Sequence, residues 1–252
     1  MSILKDKVAL VTGSSRGIGA GIARLFAQEG AKVVLHGRDE QALASVQAEI
    51  EQAGGTAMQV MADITSFVEI EAMRQEIERT FGPVDILVAN AGGSHTRPSP
   101  LEEISEEGWR ASIDGNLTAT FLTLKSFLPG MKERKTGNII TISSAAARRP
   151  HPGSPMPYAA AKAGIQLLTQ ELATQTGPYD LRVNCIAPET ILTERNQQQI
   201  PDELKPELVA QHPIKRLGTP QDVAEAALFL ASEQATWISG IILDVAGGSV
   251  LA

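Results

Sequence analysis

The sequence has 252 residues, 43% hydrophobic and 20% charged, which is typical of globular proteins long enough to bury a sizeable core. Lys and Arg total 22 against 29 Asp and Glu, and the net charge of -7 argues against nucleic acid and anionic membranes as partners. The one cysteine, Cys185, excludes an intrachain disulfide and an all-cysteine metal site.

Short apolar runs rich in Val and Ile alternate along the chain with longer segments of helical period. The runs are Val8–Val11, Lys32–Leu35, Ala57–Met61, Ile86–Ala89, Ile139–Ile142, Val183–Ile186 and Ile241–Val245. Apolar residues recur at i, i+3 and i+7 between them, as in Leu43, Val46 and Ile50, in Ile70, Met73 and Ile77, and in Ile165, Leu168 and Leu172. This alternation predicts a single-domain α/β protein with a doubly wound, mostly parallel sheet and helices on both faces.

Neither the N-terminal residues nor the apolar run at 84–91 predicts membrane insertion. Residues 1–7 carry charges where a secretory signal has its apolar core, and residues 84–91 are too few to span a bilayer, so we expect a cytoplasmic protein. Residues 188–220 are rich in Gln, Glu and Pro and have weak periodicity. A loop of that length inside a compact domain predicts a substrate lid.

Three glycines mark the turn from the first predicted strand into a helix. Gly13, Gly17 and Gly19 let the backbone approach a pyrophosphate, and the helix N-terminus supplies free N–H donors. This pattern is typical of a Rossmann fold that binds a dinucleotide, and Ser15 and Ile18 are expected to contact the same ligand. A glycine-rich turn without a ligand is the alternative.

The end of the second strand predicts NADP(H) rather than NAD(H). NAD sites usually have an acid there for the ribose 2′-hydroxyl, whereas this strand has no acid before Asp39. Arg16 and Arg38 are instead expected to hold the 2′-phosphate, because a guanidinium suits bidentate contact with phosphate. Both arginines could otherwise be solvated side chains.

Two further segments are expected to contact the cofactor. Asp63, with Ile64 beside it, follows the third strand and is predicted to accept a hydrogen bond from the adenine amino group. A helix N-cap role is the alternative for Asp63. Asn90, Ala91 and Gly92 end the fourth strand, where small residues let the backbone lie against the cofactor.

The joint pattern resembles the short-chain dehydrogenase/reductase family over nearly the whole chain. The matching motifs, in the family's order and spacing, are Thr12-Gly13-x3-Gly17-x-Gly19, Asn90-Ala91-Gly92, Asn116, Ser144, Tyr158-x3-Lys162 and Leu243-Asp-Val-Ala-Gly-Gly248. The resemblance implies an oxidoreductase that transfers a hydride between a nicotinamide and a carbonyl or secondary alcohol.

The family chemistry assigns four residues to catalysis, because hydride transfer to a carbonyl requires a matching proton transfer. Tyr158 is the expected acid/base, and Lys162, one helical turn later, is expected to lower the tyrosine pKa and hold the nicotinamide ribose. Ser144 would hydrogen-bond the substrate oxygen. Asn116 would position the lysine through its carbonyl and a water. Ser143 remains an alternative to Ser144, because an alanine replaces the glycine of the family's Ser-x-x-Gly.

The sequence after the sixth strand departs from the family's Pro-Gly. Pro188, Ile191 and Thr193 fall where the family contacts the nicotinamide carboxamide, but Glu189 replaces the glycine. A carboxylate there could tune the substrate pocket, or it could point to solvent.

Three functions follow in order of expectation. The first is reduction of a free carbonyl or oxidation of a free alcohol. The second is 3-oxoacyl-acyl-carrier-protein reduction, which needs a basic docking patch; Lys132, Arg134 and Lys135 supply part of one, while Thr169–Tyr179 contains no basic residue. The third is a non-catalytic NADP(H)-binding sensor.

The remaining predictions concern the pocket, metals and assembly. Residues 93–97, 151–156 and 189–213 are the expected pocket walls, and no metal site is expected because the four histidines lie far apart in the sequence. The family usually forms tetramers or dimers, so residues 121–128 and 238–251 are predicted as interfaces of a homotetramer or a dimer.

Overall fold

The computed structural model describes residues 2–150 and 153–250, and these contain a seven-stranded parallel sheet in the order β3-β2-β1-β4-β5-β6-β7. The strands are β1 Val8–Val11, β2 Lys32–Gly37, β3 Thr56–Met61, β4 Ile86–Ala89, β5 Gly137–Ile142, β6 Leu181–Pro188 and β7 Ile242–Val245. The predicted doubly wound parallel sheet is confirmed.

Helices cover both faces of the sheet. The α-helices are α1 Gly17–Gln28, α2 Glu40–Gln52, α3 Phe67–Thr80, α4 Glu106–Ile113, α5 Ala119–Arg134, α6 Met156–Thr176, α7 Glu194–Gln199, α8 Lys205–Ala210 and α9 Pro220–Ala231. A π-helical turn, Asp114–Thr118, joins α4 to α5. In the described residues, no helix is both long enough and apolar enough to cross a membrane.

Each face of the sheet has its own apolar core. Helices α1, α2 and α9 pack on one face, where Phe26, Leu43 and Leu230 are fully buried. Helices α3, α5 and α6 pack on the other. The predicted stripes of α2 and α3 are buried throughout, and in α6 Leu168 is only partly buried.

Helices α1 and α9 come unusually close. A Cβ added to Gly21 of α1 would lie 2.9 Å from Cβ of Pro220, the first residue of α9. Ile22 and Phe26 of α1 share a core with Val223 and Leu230 of α9. The helix that follows the glycine turn is therefore held by the last helix of the chain.

Two sequence predictions differ from the structure. Several strands are longer than predicted, because the parallel ladder continues beyond the apolar run; Gly37 of β2, for example, pairs with Met61. Residues 188–220 were predicted as a loop, but they contain α7 and α8. Thr193 N-caps α7, where its hydroxyl accepts from the Asn196 N–H at 3.2 Å. Helices this short contain too few residues for a helical period to be recognised in the sequence.

Candidate active site

A cleft of about 710 Å³ lies at the carboxyl ends of the strands, where the chain switches from building one side of the sheet to building the other. All the predicted site residues except Asn116 line it: Gly13, Ser15, Arg16, Gly17, Ile18, Gly19, Arg38, Asp63, Ile64, Asn90, Ala91, Gly92, Ser144, Tyr158, Lys162, Pro188, Ile191 and Thr193. Crevices at such switch points are where open α/β sheets bind ligands.

The glycine turn is packed so tightly that side chains are excluded. Gly13 has φ +66, and a Cβ there would lie 2.8 Å from Ala91 Cα. A Cβ on Gly19 would lie 2.3 Å from the Gly13 carbonyl oxygen. The turn therefore presents bare backbone to the cleft.

Side chains from β1 and β4 hold the turn in place. Asn90 Nδ2 donates to the carbonyls of Thr12 at 2.8 Å and Gly13 at 3.1 Å. The Thr12 hydroxyl accepts from the N–H groups of Asn90 and Ala91, both at 3.0 Å. Asn90 is thus a brace for the turn, a role that its place in a run of small residues did not predict.

The N-terminus of α1 is covered by a carboxylate that sequence reasoning missed. The N–H of Gly17, the first residue of α1, donates to Glu194 Oε2 at 3.1 Å. Glu194 begins α7, and Thr193 beside it lies against Gly17, where an added Cβ would approach the Thr193 methyl to 3.1 Å. No sequence pattern indicates this contact, because the two residues are far apart in the chain.

The two predicted arginines lie at the other end of the cleft. Arg16 forms an ion pair with Asp39, whose carboxylate also N-caps α2 by accepting from the Ala42 N–H. Arg38 is exposed, and no ion pair to it is found in the described part of the chain. Asp39, the acid nearest the predicted 2′-phosphate position, is therefore neutralised by Arg16.

Asp63 lies beside these arginines. Its carboxylate accepts from the N–H of Thr65 at 2.8 Å and from the Thr65 hydroxyl at 2.7 Å. These hydrogen bonds are the main reason that its pKa is lowered. Ser66, not Asp63, is the N-cap of α3. Asp63 is therefore a carboxylate that lines the cleft, and its predicted adenine contact stays a prediction.

At the opposite end of the cleft, Ser144 lies beside Tyr158, and its hydroxyl acts to lower the pKa of the phenol. The neighbouring Ser143 is only 3% exposed, and its hydroxyl donates to the Lys162 carbonyl at 2.8 Å and accepts from Gln166 Nε2 at 3.0 Å. The Ser143 hydroxyl is thus already hydrogen-bonded to residues of α6. Ser144 is therefore the serine that faces Tyr158.

The pKa of Tyr158 differs in direction from the sequence-based expectation. Burial raises it, the Ser144 hydrogen bond lowers it less, and the Glu189 carboxylate adds to the increase. The Lys162 Nζ donates to the Ile142 carbonyl at 2.8 Å and lies 5.7 Å from the centre of the Tyr158 ring. Tyr158 is accordingly a protonated phenol at neutral pH.

Asn116 does not line the cleft but supports its wall. It is fully buried in the π-helical turn, where its Nδ2 donates to the Gly93 carbonyl at 2.9 Å and to the Ser112 carbonyl at 2.8 Å. Its Oδ1 accepts from the Gly93 N–H at 3.0 Å. The predicted relay from Asn116 to Lys162 through a water remains a prediction; the structure shows a side chain that fixes the strand end after β4.

Lys162 is the most unfavourable charge in the site, and we expect Lys162→Met to stabilise the fold. Its side chain is 4% exposed, and burial lowers its pKa from 10.5 to about 8. At about 1.4 kcal/mol per pKa unit, burying the ammonium costs about 3 kcal/mol at pH 7. The Ile142 carbonyl loses its donor in the variant, so a net gain of about 1 to 2 kcal/mol in unfolding free energy is expected.

The pH dependence tests this cost. Because the folded pKa is below the unfolded one, the unfolded state binds more protons between pH 8 and 10.5, and wild-type stability gains from rising pH in that window. Denaturant unfolding of Lys162→Met should lack this contribution. Lys215→Met, which removes an exposed lysine that also donates to a carbonyl, that of Ala210, is the control. A destabilised variant with the wild-type pH slope would contradict the assignment.

Only the beginning of segment 188–220 reaches the cleft, through residues between 188 and 196. Gly93, Ser94 and His95 also line it, whereas His151 and Pro152 of the predicted walls lie outside the described residues. Among residues 2–150 and 153–250, no group of three or more His, Cys, Asp or Glu side chains could hold a metal ion.

Comparison with known proteins shows that the chain is similar to oxidoreductases. Residues 13–249 match a family model described as enoyl-(acyl carrier protein) reductase. The chain is 40% identical to the 3-oxoacyl-acyl-carrier-protein reductase of Chlamydia muridarum, with 98% of both chains covered. It is 39% identical to the 7alpha-hydroxysteroid dehydrogenase of Escherichia coli K12, covering 98% of this chain and 95% of that one.

Two solved structures are similar throughout. A 7alpha-hydroxysteroid dehydrogenase in complex with NADH and 7-oxo glycochenodeoxycholic acid has a TM-score of 0.92 at 39% identity, covering 99% of this chain and 96% of the other. A 3-oxoacyl-acyl-carrier-protein reductase of Brucella melitensis with bound NAD has a TM-score of 0.92 at 34% identity, covering 100% and 94%.

Proposed function

The chain belongs to the short-chain dehydrogenase/reductase family and is an oxidoreductase of CH–OH groups that uses a nicotinamide cofactor, and from this premise we propose an NADP(H)-dependent reductase of free carbonyl compounds. The proposal depends chiefly on one observation: Ser144, Tyr158 and Lys162 line the same cleft as the two arginines at its far end.

The residues of the cleft fit a dinucleotide. The glycine turn leaves bare backbone where any Cβ on Gly19 would collide with the Gly13 carbonyl, and the α1 N-terminus offers an N–H donor to an anion. Tyr158 and the arginines lie at opposite ends of one cleft. The pyrophosphate is proposed to lie at Gly13–Gly19, with Thr193, Ile191 and Pro188 near the nicotinamide.

Tyr158 is the proposed proton donor. When bound, the nicotinamide supplies or accepts the hydride. In the reducing direction, the Tyr158 phenol, held protonated by burial, gives its proton to the carbonyl oxygen as charge develops there. The Ser144 hydroxyl, which lies beside Tyr158, is proposed to turn its single proton toward the same oxygen. Buried Lys162 is proposed to hold the nicotinamide ribose and to return Tyr158 to its protonated form.

The charged residues at the end of β2 support a preference for NADP(H). Asp39, the acid that follows Arg38, is paired with Arg16, so its charge is compensated. Arg38 is exposed and without an ion pair among the described residues. A 2′-phosphate carries about -1.5 to -2 charges at pH 7, which favours such a position.

A free substrate is preferred over a carrier-bound one because the predicted docking patch is partly engaged. Lys132 lies over the Tyr179 ring, 5.0 Å from its centre, and an Arg134 guanidinium nitrogen donates to the Val84 carbonyl at 2.8 Å. The similarity to 3-oxoacyl-acyl-carrier-protein reductases keeps the carrier-bound function as the second candidate.

Steady-state turnover of a substrate panel tests the proposal. The panel contains small ketones, bulky oxo compounds and 3-oxoacyl groups, and each 3-oxoacyl group is supplied both free and attached to a carrier protein. Every substrate is assayed with NADPH and with NADH. We expect a free carbonyl to be reduced with the higher kcat/KM, and with NADPH. Efficient reduction only of the carrier-bound form would favour the second candidate, and cofactor binding without any turnover would favour the non-catalytic sensor.

Glu194→Gln is expected to tighten dinucleotide binding. The Glu194 carboxylate sits on the Gly17 N–H, the proposed pyrophosphate position, so it competes with the cofactor and repels it. Removing one like charge at a helix N-terminus is worth about 0.5 to 1 kcal/mol, or about a three- to fivefold lower Kd. Fluorescence titration with NADPH measures this, and Glu203→Gln, the same change at an exposed residue of the same segment, should have no effect. A weaker or unchanged Kd in Glu194→Gln would contradict this role.

The chain is also predicted to assemble as a homotetramer or a dimer. Phe121 in predicted interface 121–128 is 48% exposed, and Ile241 in interface 238–251 is 37% exposed next to the fully exposed Trp237; residue 251 lies outside the described residues. Light scattering after size exclusion should give a multiple of 26.8 kDa at micromolar concentration. Phe121→Glu should reduce the mass, whereas Val68→Glu on the exposed face of α3 should not. A wild-type monomer would refute both interfaces.

A further inference from the structure

His36 is a buried histidine at the cofactor end of the sheet, and the proposed chemistry does not use it. It lies near the end of β2, is 2% exposed, and its ring contacts both the glycine turn and the end of β3. The ring therefore joins two segments that border the proposed dinucleotide site.

The hydrogen bonds of the ring fix its tautomer. The Gly13 N–H donates to His36 Nδ1 at 3.2 Å, and a backbone N–H can only donate, so Nδ1 must be unprotonated. Nε2 lies 3.0 Å from the Ala62 carbonyl oxygen, which can only accept, so Nε2 carries the proton. The neutral ring in this one tautomer satisfies both partners. The charged ring would point an N–H at the Gly13 N–H.

The backbone of His36 is tied to the same turn. The Ser14 N–H donates to the His36 carbonyl at 2.9 Å, and the His36 N–H donates to the Ser14 hydroxyl at 3.0 Å. On its other side Gly13 lies close to the residues that follow β4, since a Cβ added to it would lie 2.8 Å from Ala91 Cα. The ring is thus one of the contacts that define where Gly13 sits.

Charged groups around the ring come from two elements. Arg38 of the β2 end disfavours a protonated ring, and Asp63 after β3 favours one. From the turn itself, Gly13 and Ser14 contribute neutral groups. The pKa of His36 is lowered, first by burial and then by Arg38, against the opposing effects of Ala62 and Asp63.

We propose that His36 is a positioning residue for the dinucleotide site, which in its neutral form holds Gly13 in place and on protonation weakens cofactor binding. This inference rests on the proposed function, because it assumes that the glycine turn holds the pyrophosphate. If only the neutral ring supports binding, each pH unit below its pKa costs up to about tenfold in affinity.

Titration calorimetry of the full chain with NADP⁺ and NAD⁺ between pH 8 and 5 tests the proposal. His36→Asn keeps an acceptor oxygen where Nδ1 lies but cannot titrate, and His36→Leu removes both contacts. The 2′-phosphate of NADP⁺ itself titrates at about pH 6. Wild type and variant are therefore compared with the same ligand, and NAD⁺, which lacks the 2′-phosphate, serves as a second ligand. His212→Asn, which removes a buried histidine that lines a different cavity, is the control.

We expect wild type and His212→Asn to lose more affinity between pH 8 and 5 than His36→Asn does, with both ligands. His36→Leu should bind about tenfold more weakly at pH 8, as for the loss of a buried hydrogen bond. Equal pH slopes in wild type and His36→Asn would overturn the role of His36 alone. Wild type that binds no dinucleotide at any pH would overturn the proposed function and this inference with it.

Long-range ¹H–¹⁵N NMR of the wild-type protein measures the protonation state and tautomer of His36 without any variant. We expect a neutral His36 ring that carries its proton on Nε2 above about pH 6.5. The reason is that the pKa of His36 lies below the ordinary histidine value of about 6.5. A ring protonated at Nδ1, or charged at pH 7, would overturn the proposal even if both variants failed to fold.

Discussion

Replacing Tyr158 by phenylalanine is expected to lower kcat by about 10³-fold while dinucleotide affinity stays within about twofold, because only a proton-transfer group is removed. The ring remains to fill its half-buried position, and the group lost is the phenol hydroxyl at the cleft. Single-turnover kinetics at saturating NADPH measure the chemical step. Tyr179→Phe is a matched control, since Tyr179 is the second of the two tyrosines, exposed and stacked under Lys132.

Two serine variants refine the same prediction. Ser144→Ala should also lower kcat, by about 10²-fold, because it removes a donor to the substrate oxygen. Ser143→Ala should instead reduce stability and spare kcat, because its hydroxyl is bonded to the Lys162 carbonyl and to Gln166. Turnover above about a tenth of wild type in Tyr158→Phe would move the acid/base role to another group.

Replacing Arg16 and Arg38 together by alanine is expected to weaken NADPH binding by about 10²-fold or more, with NADH binding changed by less than about threefold. Charge-assisted hydrogen bonds contribute about 1.5 to 3 kcal/mol each, and every 1.4 kcal/mol is about tenfold in Kd. Of the single variants, Arg38→Ala should lose direct contact with phosphate. Arg16→Ala should additionally uncover the Asp39 carboxylate, which Arg16 neutralises.

Fluorescence titration with both cofactors measures these affinities at fixed salt, because exposed charge pairs are screened. Arg110→Ala is the control, since Arg110 pairs with Glu106 on α4 rather than with a cleft residue. A wild type that binds NADH as tightly as NADPH would show that the NADP(H) assignment is wrong. The bound NAD and NADH named for two structural relatives make this the most informative test of the cofactor.

The features that follow from local chemistry were predictable from the sequence. Strands buried on both faces give continuous apolar runs, so all seven were found with their approximate bounds. Glycines required by a tight turn, such as Gly13 and Gly19, stand out because no other residue fits. The motif spacing of Ser144, Tyr158 and Lys162 likewise placed all three at one cleft.

The features that depend on distant contacts were not predictable. The pKa of Tyr158 rises because burial and, to a lesser extent, the Glu189 carboxylate outweigh the lowering effect of Ser144. Glu194 meets Gly17 only after the chain has folded. The π-helical turn that buries Asn116 has no periodic signature, because it interrupts one helix for a single turn.

The packing of α1 on α9 also governs the order in which the protein can mature. During synthesis, α1 leaves the ribosome early, whereas the surface that covers Ile22 and Phe26 is made only when α9 emerges. A nascent chain or a fragment that stops before Pro220 would contain nearly every residue of the cleft and yet leave this apolar face in water. Such chains should aggregate or attract chaperones, and cofactor binding should arise late, with the completion of the C-terminal part.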